Sequence, residues 1–391
     1  MKIGFFTDVY IPAGFGVQIS VETFRKGLES LGHEVYIFAP LFKGYKDANP
    51  RVFRFHSVKV IEKPEMRLAS PFFPVNSFKE ISNVKLDIVH AHTPFSMGFL
   101  GKYIASQRKI PFIYTHHTQY PEYARVYLKE KFISPYLARV LTTWFSNISD
   151  GIIAPSQKIK RFLREDGVKK PIYILPTGVD VENFTESAAA KKEIRKKLQI
   201  DPKTKVLIYL GRMGREKNVE FLISMFKKLL QESEIPFNLL MVGDGPHLKE
   251  FRELAHKLEI DPFVKFTGAV PYKEVPRYYQ AADAFIFSSF TDTQGIVILE
   301  ALASWLPVIA LKDDAFQGIV VNNENGFLIP HKEGNDEKEQ MIFSKKVISL
   351  FGNSNLYRKF SQNARLTACE LSEKKQAEKL LDIYKKIIAK K

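Results

Sequence analysis

The sequence is poor in cysteine and contains no long apolar run. Its 391 residues include one cysteine, Cys369, so no disulfide can form within the chain and a reducing compartment is expected. No stretch approaches the roughly 18 apolar residues that a membrane-spanning helix needs. The first apolar run is short and Asp8 interrupts it, unlike a secretory signal. These absences predict a cytoplasmic location.

Several motifs of metal and nucleotide chemistry are also missing. The sequence has no D-x-D pair, no H-E-x-x-H and no cysteine-based zinc pattern. A P-loop is absent, and the glycine-rich "AGFGV" at Ala13–Val17 lacks the full G-x-G-x-x-G. Metalloproteases, P-loop NTPases and nicotinamide dehydrogenases are therefore poor fits, and no metal site is expected.

Acidic residues are outnumbered. The chain carries 58 Lys+Arg against 43 Asp+Glu, a formal net charge of +15. A basic surface favours nucleic acid, phosphorylated substrates or an anionic membrane. Basic residues alternate with aromatics in the amphipathic stretches His116–Phe145 and Gln157–Lys170, which is typical of binding to anionic lipid. The alternative is a solvated basic helix that packs on its own domain. Because no recognition helix, zinc finger or RNP motif occurs, nucleic-acid binding is the weaker interpretation.

Short apolar runs alternate with helical patterns along most of the chain. "KIGFFTD", "EVYIFA", "LDIVHAH" and "PFIYTHH" come first, and the pattern pauses near "PTGVDVENFTESAAA". It then resumes with "KVLIYLGR", "FNLLMVGDG", "DAFIFSS" and "PVIALK". This alternation predicts parallel, doubly wound sheets in two α/β domains, 1–180 and 190–370, joined by a linker near 176–190.

In open parallel sheets, ligands bind beyond the carboxyl ends of the strands. The stretch "GRMGREKN" follows such a strand, with Arg212 and Lys217 ahead of a helix predicted to begin near Asn218. Two cations beside a helix N-terminus suit a diphosphate, since they combine fixed charge with free backbone N–H groups. The alternative is a solvated basic loop.

The stretch "FTDTQGIVILEALASWLP" places two carboxylates at a predicted helix. If that helix begins near Thr293, Asp292 directly precedes its N-terminus and Glu300 lies within it. Because its neighbours are apolar, the helix has little solvent-exposed face on which Glu300 could lie. A buried carboxylate there needs a partner, and a ribose diol is one candidate. The alternative is an N-capping Asp292 with Glu300 on the solvent side.

Histidines follow two predicted strands, at His92 and at His116 and His117. A lone histidine at a strand end is more often structural than functional. With three of them at strand ends, both a ligand-binding role for at least one and a purely structural role remain open.

Taken in order, these motifs resemble the retaining glycosyltransferases of family four, which have the GT-B fold. The resemblance spans nearly the whole chain and includes "GFGVQ…GHEV", "HAHTPF", "HHT", "PTGVD", "GRMGREKN", "MVGDGP", "DTQGIVILEALA" and "NGFLIP". It implies two Rossmann-like domains facing across a cleft, and a closing segment, 371–391, that crosses back to the N-terminal domain. It also implies a hexosyltransferase that uses a nucleotide-sugar donor and needs no cofactor or catalytic metal.

The resemblance also assigns residues. Arg212 and Lys217 would hold the donor diphosphate and Glu300 the ribose. His117 would face the donor sugar, and Gly16 would lie where the N-terminal loop meets donor and acceptor. The sugar and phosphates would contact the loop formed by Asp292, Thr293, Gln294, Gly295 and Ile296. His117, Asp292, Arg212 and Lys217 would form the catalytic set. Two positions depart from the family, which usually has Glu at 292 and commonly Gly at 305.

"HHTQYPEY" is further similar to the His-Thr-x-Tyr pattern of bacterial diacylglycerol glucosyltransferases. This implies transfer of a hexose, most readily glucose from UDP-glucose, to a lipid such as 1,2-diacylglycerol on the inner face of the cell membrane. The membrane and acceptor contacts would come from Arg125, Lys129, Lys131, Arg139 and Trp144. The alternatives are a soluble acceptor such as a sugar, malate or a polysaccharide, a catalytically silent scaffold, or a nucleic-acid-binding protein.

Overall fold

The structure is a computed structural model that describes residues 1–13, 16–60, 63–70, 81, 83–122, 134–332 and 334–391. The chain forms two compact units. The first comprises Met1–Gly178 together with Glu373–Lys391, and the second comprises Val179–Ser372. Each is built around its own parallel sheet.

The first unit contains a seven-stranded parallel sheet in the order β3-β2-β1-β6-β7-β8-β9. Its central strands are almost continuously apolar because both faces of the sheet are covered. The strands of this sheet are β1 Lys2–Phe6, β2 Glu34–Pro40, β3 Val52–Phe55, β6 Ile88–Ala91, β7 Phe112–Thr115, β8 Gly151–Ala154 and β9 Ile172–Ile174. An antiparallel pair, β4 Ser57–Val60 with β5 Lys63–Ala69, is inserted after β3.

Helices of the first unit supply the two apolar layers that cover this sheet. They are α1 Gly16–Ser30, α2 Ser96–Arg108, α3 Pro135–Asn147, α4 Gln157–Glu165 and, from the far end of the chain, the helix Glu373–Ile388. Ser134 and Ser156 cap α3 and α4 by accepting backbone N–H groups, as their side chains favour at helix starts.

The helix Glu373–Ile388 packs against α1 and belongs to the same apolar cluster as β1. Its Leu380, Tyr384 and Ile387 are buried with Ile3 and Phe5. The last segment of the chain therefore completes the core of the first unit.

The second unit contains a six-stranded parallel sheet in the order β12-β11-β10-β13-β14-β15. The chain starts in the middle of the sheet, winds outward through β12 and then returns to the other side at β13, which is the doubly wound arrangement. Its strands are β10 Lys205–Leu210, β11 Phe237–Val242, β12 Val264–Gly268, β13 Ala284–Phe287, β14 Val308–Leu311 and β15 Gly326–Ile329.

Helices of the second unit share one large apolar cluster with this sheet. They are α5 Ala188–Lys197, α6 Val219–Glu232, α7 Leu248–Lys257, α8 Val275–Ala281, α9 Ile296–Ala303, α10 Asp336–Gly352 and α11 Ser354–Glu370, and we number Glu373–Ile388 α12. Residues 179–189, which the sequence suggests as part of a connection, lie in this unit, where Val179 and Phe184 are buried in the core.

The prediction of two Rossmann-like α/β domains is confirmed. Within the residues that the structure describes, none of the helices combines the length and the apolar character needed to cross a membrane.

Candidate functional site

The loop after β10 carries the predicted diphosphate-binding cations. Arg212 follows the strand, and a single 3-10 turn, Arg215–Lys217, leads into α6. The backbone of Met213 lies so close to Gly245, in the loop after β11, that a Cβ on Gly245 would meet it at 2.5 Å. The two strand-end loops therefore touch, and glycine is required where they do.

Lys217 is tied to the loop after β13. Its Nζ lies 2.9 Å from Oδ2 and 3.1 Å from Oδ1 of Asp292, and each side chain is about one-fifth exposed. The guanidinium of Arg212 is one-third exposed, and its Nε lies 3.9 Å from Oε1 of Glu216. Two residues predicted to act in catalysis, 75 positions apart in the chain, are thus in direct contact.

Helix α9 begins at Ile296, three residues later than the sequence suggests. Gly295 precedes it with φ of 72°, a left-handed conformation that favours glycine. A Cβ at this position would also meet the Phe316 ring at 3.0 Å. No side chain caps the start of α9, and Asp292 is bonded to Lys217 instead. The alternative that Asp292 serves as the N-cap is therefore wrong.

Glu300, on the second turn of α9, is 2% exposed. The hydroxyl of Tyr272 donates to its Oε1 and that of Tyr279 to its Oε2, both at 3.0 Å. Burial raises the pKa of Glu300 to about 7, although both tyrosine hydrogen bonds oppose this rise. The alternative of a solvent-exposed Glu300 is therefore wrong. Tyr272 and Tyr279 were not predicted as site residues, because their spacing from Glu300 follows no local sequence pattern.

A cluster of histidines lies at the carboxyl ends of β6 and β7 in the first unit. His90 bonds to Tyr384 of α12 and to Thr115, each at 2.6 Å. Nδ1 of His92 lies 3.0 Å from Nε2 of His117, and the two rings are stacked. The Nε2 atom of His92 has no hydrogen-bond partner among the described residues.

These histidines are neutral at ordinary pH. Burial lowers the pKa of His90 and His92 well below the usual range. Burial, with a smaller contribution from His116, lowers the pKa of His117 to about 3. A neutral imidazole has one N–H donor and one acceptor nitrogen, so His117 can orient a sugar hydroxyl without carrying charge. Gly16, predicted to lie where the N-terminal loop meets donor and acceptor, is the first residue of α1.

Of the predicted membrane residues, Arg125, Lys129 and Lys131 lie outside the described residues. Arg139 forms an ion pair with Asp166 at 2.7 Å, so its charge is already matched by a carboxylate. Trp144, which lies in the same helix α3, is half-exposed.

Trp144 belongs to an exposed apolar patch on α2 and α3. The Phe99 ring of α2 lies 5.8 Å from the Trp144 ring. The members are all at least 38% exposed: Phe99, Tyr103, Tyr136, Leu137, Val140 and Trp144. We call this set the α2–α3 patch. Its residues recur at spacings of three and four along each helix, which is the periodicity of one helix face. The sequence contains this pattern, but the predicted membrane contacts were chosen mainly from the basic residues of the same stretch.

One group of potential metal ligands occurs among the described residues. His331, Asp336 and Glu339 offer atoms within 4.8 Å of one another. Glu339 already accepts from His331 at 2.7 Å and from the backbone N–H of Lys332 at 2.6 Å. The His331 ring also stacks on Phe290 at 4.1 Å. Through this stack, the His331–Glu339 pair contacts the segment that leads to Asp292.

Two family models match most of the chain. The model described as "Glycosyl transferases group 1" matches residues 190–367, and "Glycosyltransferase Family 4" matches residues 16–183. The alpha-monoglucosyldiacylglycerol synthase of Streptococcus pneumoniae is 38% identical over 316 residues, which cover 79% of this chain and 71% of the relative. The enzyme of the same name from Acholeplasma laidlawii is 30% identical over 412 residues, covering 100% and 98%.

Solved structures show the same fold at low identity. HepE of Anabaena, crystallised in complex with UDP and glucose, superposes with a TM-score of 0.78 at 18% identity, over 99% of this chain and 100% of that one. The resemblance inferred from the motifs is confirmed: the chain belongs to the family-four glycosyltransferases and has the GT-B fold.

Proposed function

We propose that this protein transfers glucose from UDP-glucose to 1,2-diacylglycerol at the inner, anionic face of the cell membrane. The two relatives that are 38% and 30% identical to this chain over the aligned residues are named for the synthesis of alpha-monoglucosyldiacylglycerol. HepE, a protein of the same fold, was crystallised with UDP and glucose. The acceptor, the sugar and the nucleotide of the proposal come from these names.

Within this chain, the main support for the proposal is the ion pair between Lys217 and Asp292, which lies next to the N-terminus of α9. Both side chains lie at the carboxyl ends of parallel strands, where this class of sheet binds ligands. Arg212 and Lys217 supply positive charge for the diphosphate, and the N-terminus of α9 at Ile296 supplies backbone N–H groups. Glu300 would hold the ribose. Gln294 and Gly295, both buried, form the wall of this loop.

The reaction in this proposal retains the configuration at the sugar carbon. Glucose is α-linked in UDP-glucose, and the relatives' names specify an alpha product. The bond from the sugar to the diphosphate breaks while the acceptor hydroxyl attacks on the same face, and the leaving phosphate takes the hydroxyl proton. Arg212 and Lys217 stabilise the charge that develops on the phosphate, which is the role a metal ion fills elsewhere. We therefore propose that no metal or cofactor is required.

In the first unit, His117 would orient a hydroxyl of the donor sugar and Gly16 would let the acceptor approach. The α2–α3 patch gives this unit an apolar surface suited to the membrane interface, since Tyr and Trp favour that boundary. The net charge of +15 would attract anionic lipids at longer range. Both features favour a lipid acceptor over a sugar, malate or a polysaccharide.

The test is a transfer assay with UDP-glucose and diacylglycerol in vesicles of phosphatidylglycerol and phosphatidylcholine, with and without EDTA. We expect a glucolipid whose anomeric proton has the small coupling constant of an α-glycoside, at a rate that EDTA does not change. Parallel reactions replace the lipid with glucose, malate or a polysaccharide.

Each part of the proposal has its own contrary result. Transfer only to a soluble acceptor would overturn the lipid assignment. A β-linked product would overturn retention, and loss of activity in EDTA that Mg²⁺ restores would overturn metal independence. Binding of DNA that survives high salt, together with no transfer to any acceptor, would overturn the enzymatic role.

A further inference from the structure

Glu300 is a buried carboxylate whose two oxygens each accept a hydroxyl. Oε1 accepts from Tyr272, in the 3-10 turn Tyr272–Glu274, and Oε2 accepts from Tyr279, in α8. The turn and α8 are adjacent in the chain, so one short segment supplies both donors. An ionised carboxylate offers about four lone-pair sites, of which the tyrosines occupy two. Two sites remain for a ligand with two hydroxyls.

Two effects oppose each other at this carboxyl group. Burial disfavours the charged form and raises the pKa of Glu300 to about 7, while the two tyrosine hydrogen bonds favour the charged form and lower that pKa. Among the described residues, Tyr272 and Tyr279 are the titratable groups that bond to Glu300, and no cation contributes to the shift. Burial and the nearby Glu300 raise the pKa of Tyr279 well above its usual range, so it remains a donor.

The two tyrosines differ in exposure. Tyr279 is fully buried, and its hydroxyl oxygen, which lies 3.0 Å from Glu300 Oε2, also lies 3.0 Å from the carbonyl oxygen of Val297, so its single proton is shared between two acceptors. Tyr272 is 46% exposed although its hydroxyl reaches a carboxylate that is 2% exposed. Tyr279 therefore fixes Glu300 from the core, whereas Tyr272 approaches it from the solvent side, where a ligand would enter.

We propose that Tyr272 and Tyr279 are positioning residues that keep Glu300 ionised and oriented for the ribose diol of the nucleotide. This inference rests on the proposed donor site, in which Glu300 receives the ribose. Two vicinal hydroxyls can each donate to one remaining lone pair only if the carboxyl group is deprotonated and does not rotate. When one tyrosine hydroxyl is lost, one fewer hydrogen bond stabilises the buried carboxylate of Glu300. Its pKa therefore rises, and a larger fraction of Glu300 is protonated at neutral pH.

The experiment measures binding of UDP by calorimetry between pH 6 and pH 9. Wild type is compared with Tyr272→Phe and Tyr279→Phe, which remove a hydroxyl and keep the ring. Tyr278→Phe is the matched control, because Tyr278 lies next to Tyr279 in α8 and is 5% exposed. Comparison at equal pH cancels the titration of UDP itself.

We expect Tyr272→Phe and Tyr279→Phe to weaken UDP binding about five- to tenfold at pH 7. The difference from wild type should shrink to about twofold at pH 9, where Glu300 is ionised in every variant. A loss that is equal at all pH values would indicate packing alone and overturn the inference, as would wild-type behaviour of both variants or a matching loss in Tyr278→Phe.

Glu300→Gln separates this inference from the function on which it rests. If Glu300→Gln binds UDP as tightly as wild type, or if wild type binds no UDP, the donor-site assignment fails. The state of the carboxyl group is then read without ligand, from the ¹³C-carboxyl NMR signal of labelled glutamate that Glu300→Gln removes. We expect that signal to titrate near pH 7 in wild type and at higher pH in both tyrosine variants. An unchanged titration would overturn the positioning role.

Discussion

The ammonium group of Lys217 lies 2.9 Å from a carboxylate oxygen of Asp292. Both side chains are partly exposed, so the pair contributes at most about 1 kcal/mol to stability. A diphosphate with two negative charges can therefore compete with Asp292 for Lys217 at little cost. The pair keeps Lys217 at the strand end and leaves it free to change partner when the donor binds.

Replacing Lys217 tests this arrangement. We expect Lys217→Ala to lower kcat/KM about 10²–10³-fold, because one preorganised charge on the departing phosphate is lost. The unfolding transition should move little, given the partial exposure of the pair. The measurement is steady-state transfer with thermal unfolding in parallel, and Lys249→Ala, whose side chain is 89% exposed, is the control. Near-normal turnover in Lys217→Ala would contradict the donor-site assignment.

Glu300 makes stability depend on pH. Its pKa is about 7 in the folded protein against an ordinary 4.5, so the folded state binds a proton more tightly than the unfolded chain. Stability should therefore fall as the pH rises from about 4.5 to 7, by about 3 kcal/mol in total, and Glu300→Gln should abolish this component. Denaturant unfolding of both proteins at pH 5 and pH 8 measures it. A difference between them that does not grow with pH would show that the folded pKa is ordinary.

Trp305 stands in a left-handed conformation just beyond α9, with φ of 63°. This explains why glycine is common here in the family, since a left-handed residue after a helix favours glycine. Arg365 lies 5.9 Å over the Trp305 ring, a contact worth about 0.5–1 kcal/mol. We expect Trp305→Gly to be more stable than Trp305→Ala by about 1 kcal/mol, the reverse of the usual order. Chemical denaturation would show it, and Ala as the more stable variant would refute it.

The α2–α3 patch should govern attachment to vesicles. Replacing Tyr136, Leu137 and Trp144 together with Ser should lower partitioning onto anionic vesicles by about tenfold or more, because each removes apolar surface from the interface. Leu366→Ser, at a 63% exposed leucine of the second unit, is the control. Co-sedimentation measures both variants, and unchanged pelleting of the triple variant would place the membrane surface elsewhere.

His92 should act on turnover through His117. We expect His92→Leu to reduce kcat about ten- to a hundredfold, because His117 loses the hydrogen bond that orients its ring, while UDP affinity is unchanged. His92→Asn should retain most activity, since its amide can occupy the place of Nδ1. Kinetics with calorimetry distinguish these effects. Equal losses in both variants would indicate that His92 matters for packing only.

Local patterns in the sequence are enough to predict the two α/β domains and most of the donor loops. Strands such as β10 and β11 are continuous apolar runs, and a parallel strand must be apolar where both faces are covered. Glu300 stands out because a charged residue inside an apolar helix is costly without a partner, and Arg212 and Lys217 stand out as two cations between a strand and the N-terminus of a helix. Each of these signals spans only a few residues, so each can be read along the chain.

Contacts between distant segments were decided only by the tertiary structure. Nothing local predicts that Lys217 meets Asp292 or that Tyr272 and Tyr279 flank Glu300. That α12 returns to the first unit was implied by the family resemblance and not by a local pattern. The start of α9 at Ile296 also depends on the packing of Gly295 against Phe316, a residue on another element. The physical reason is that hydrogen bonding, burial and the resulting pKa of a side chain depend on which atoms surround it in space, and the fold alone brings those atoms together.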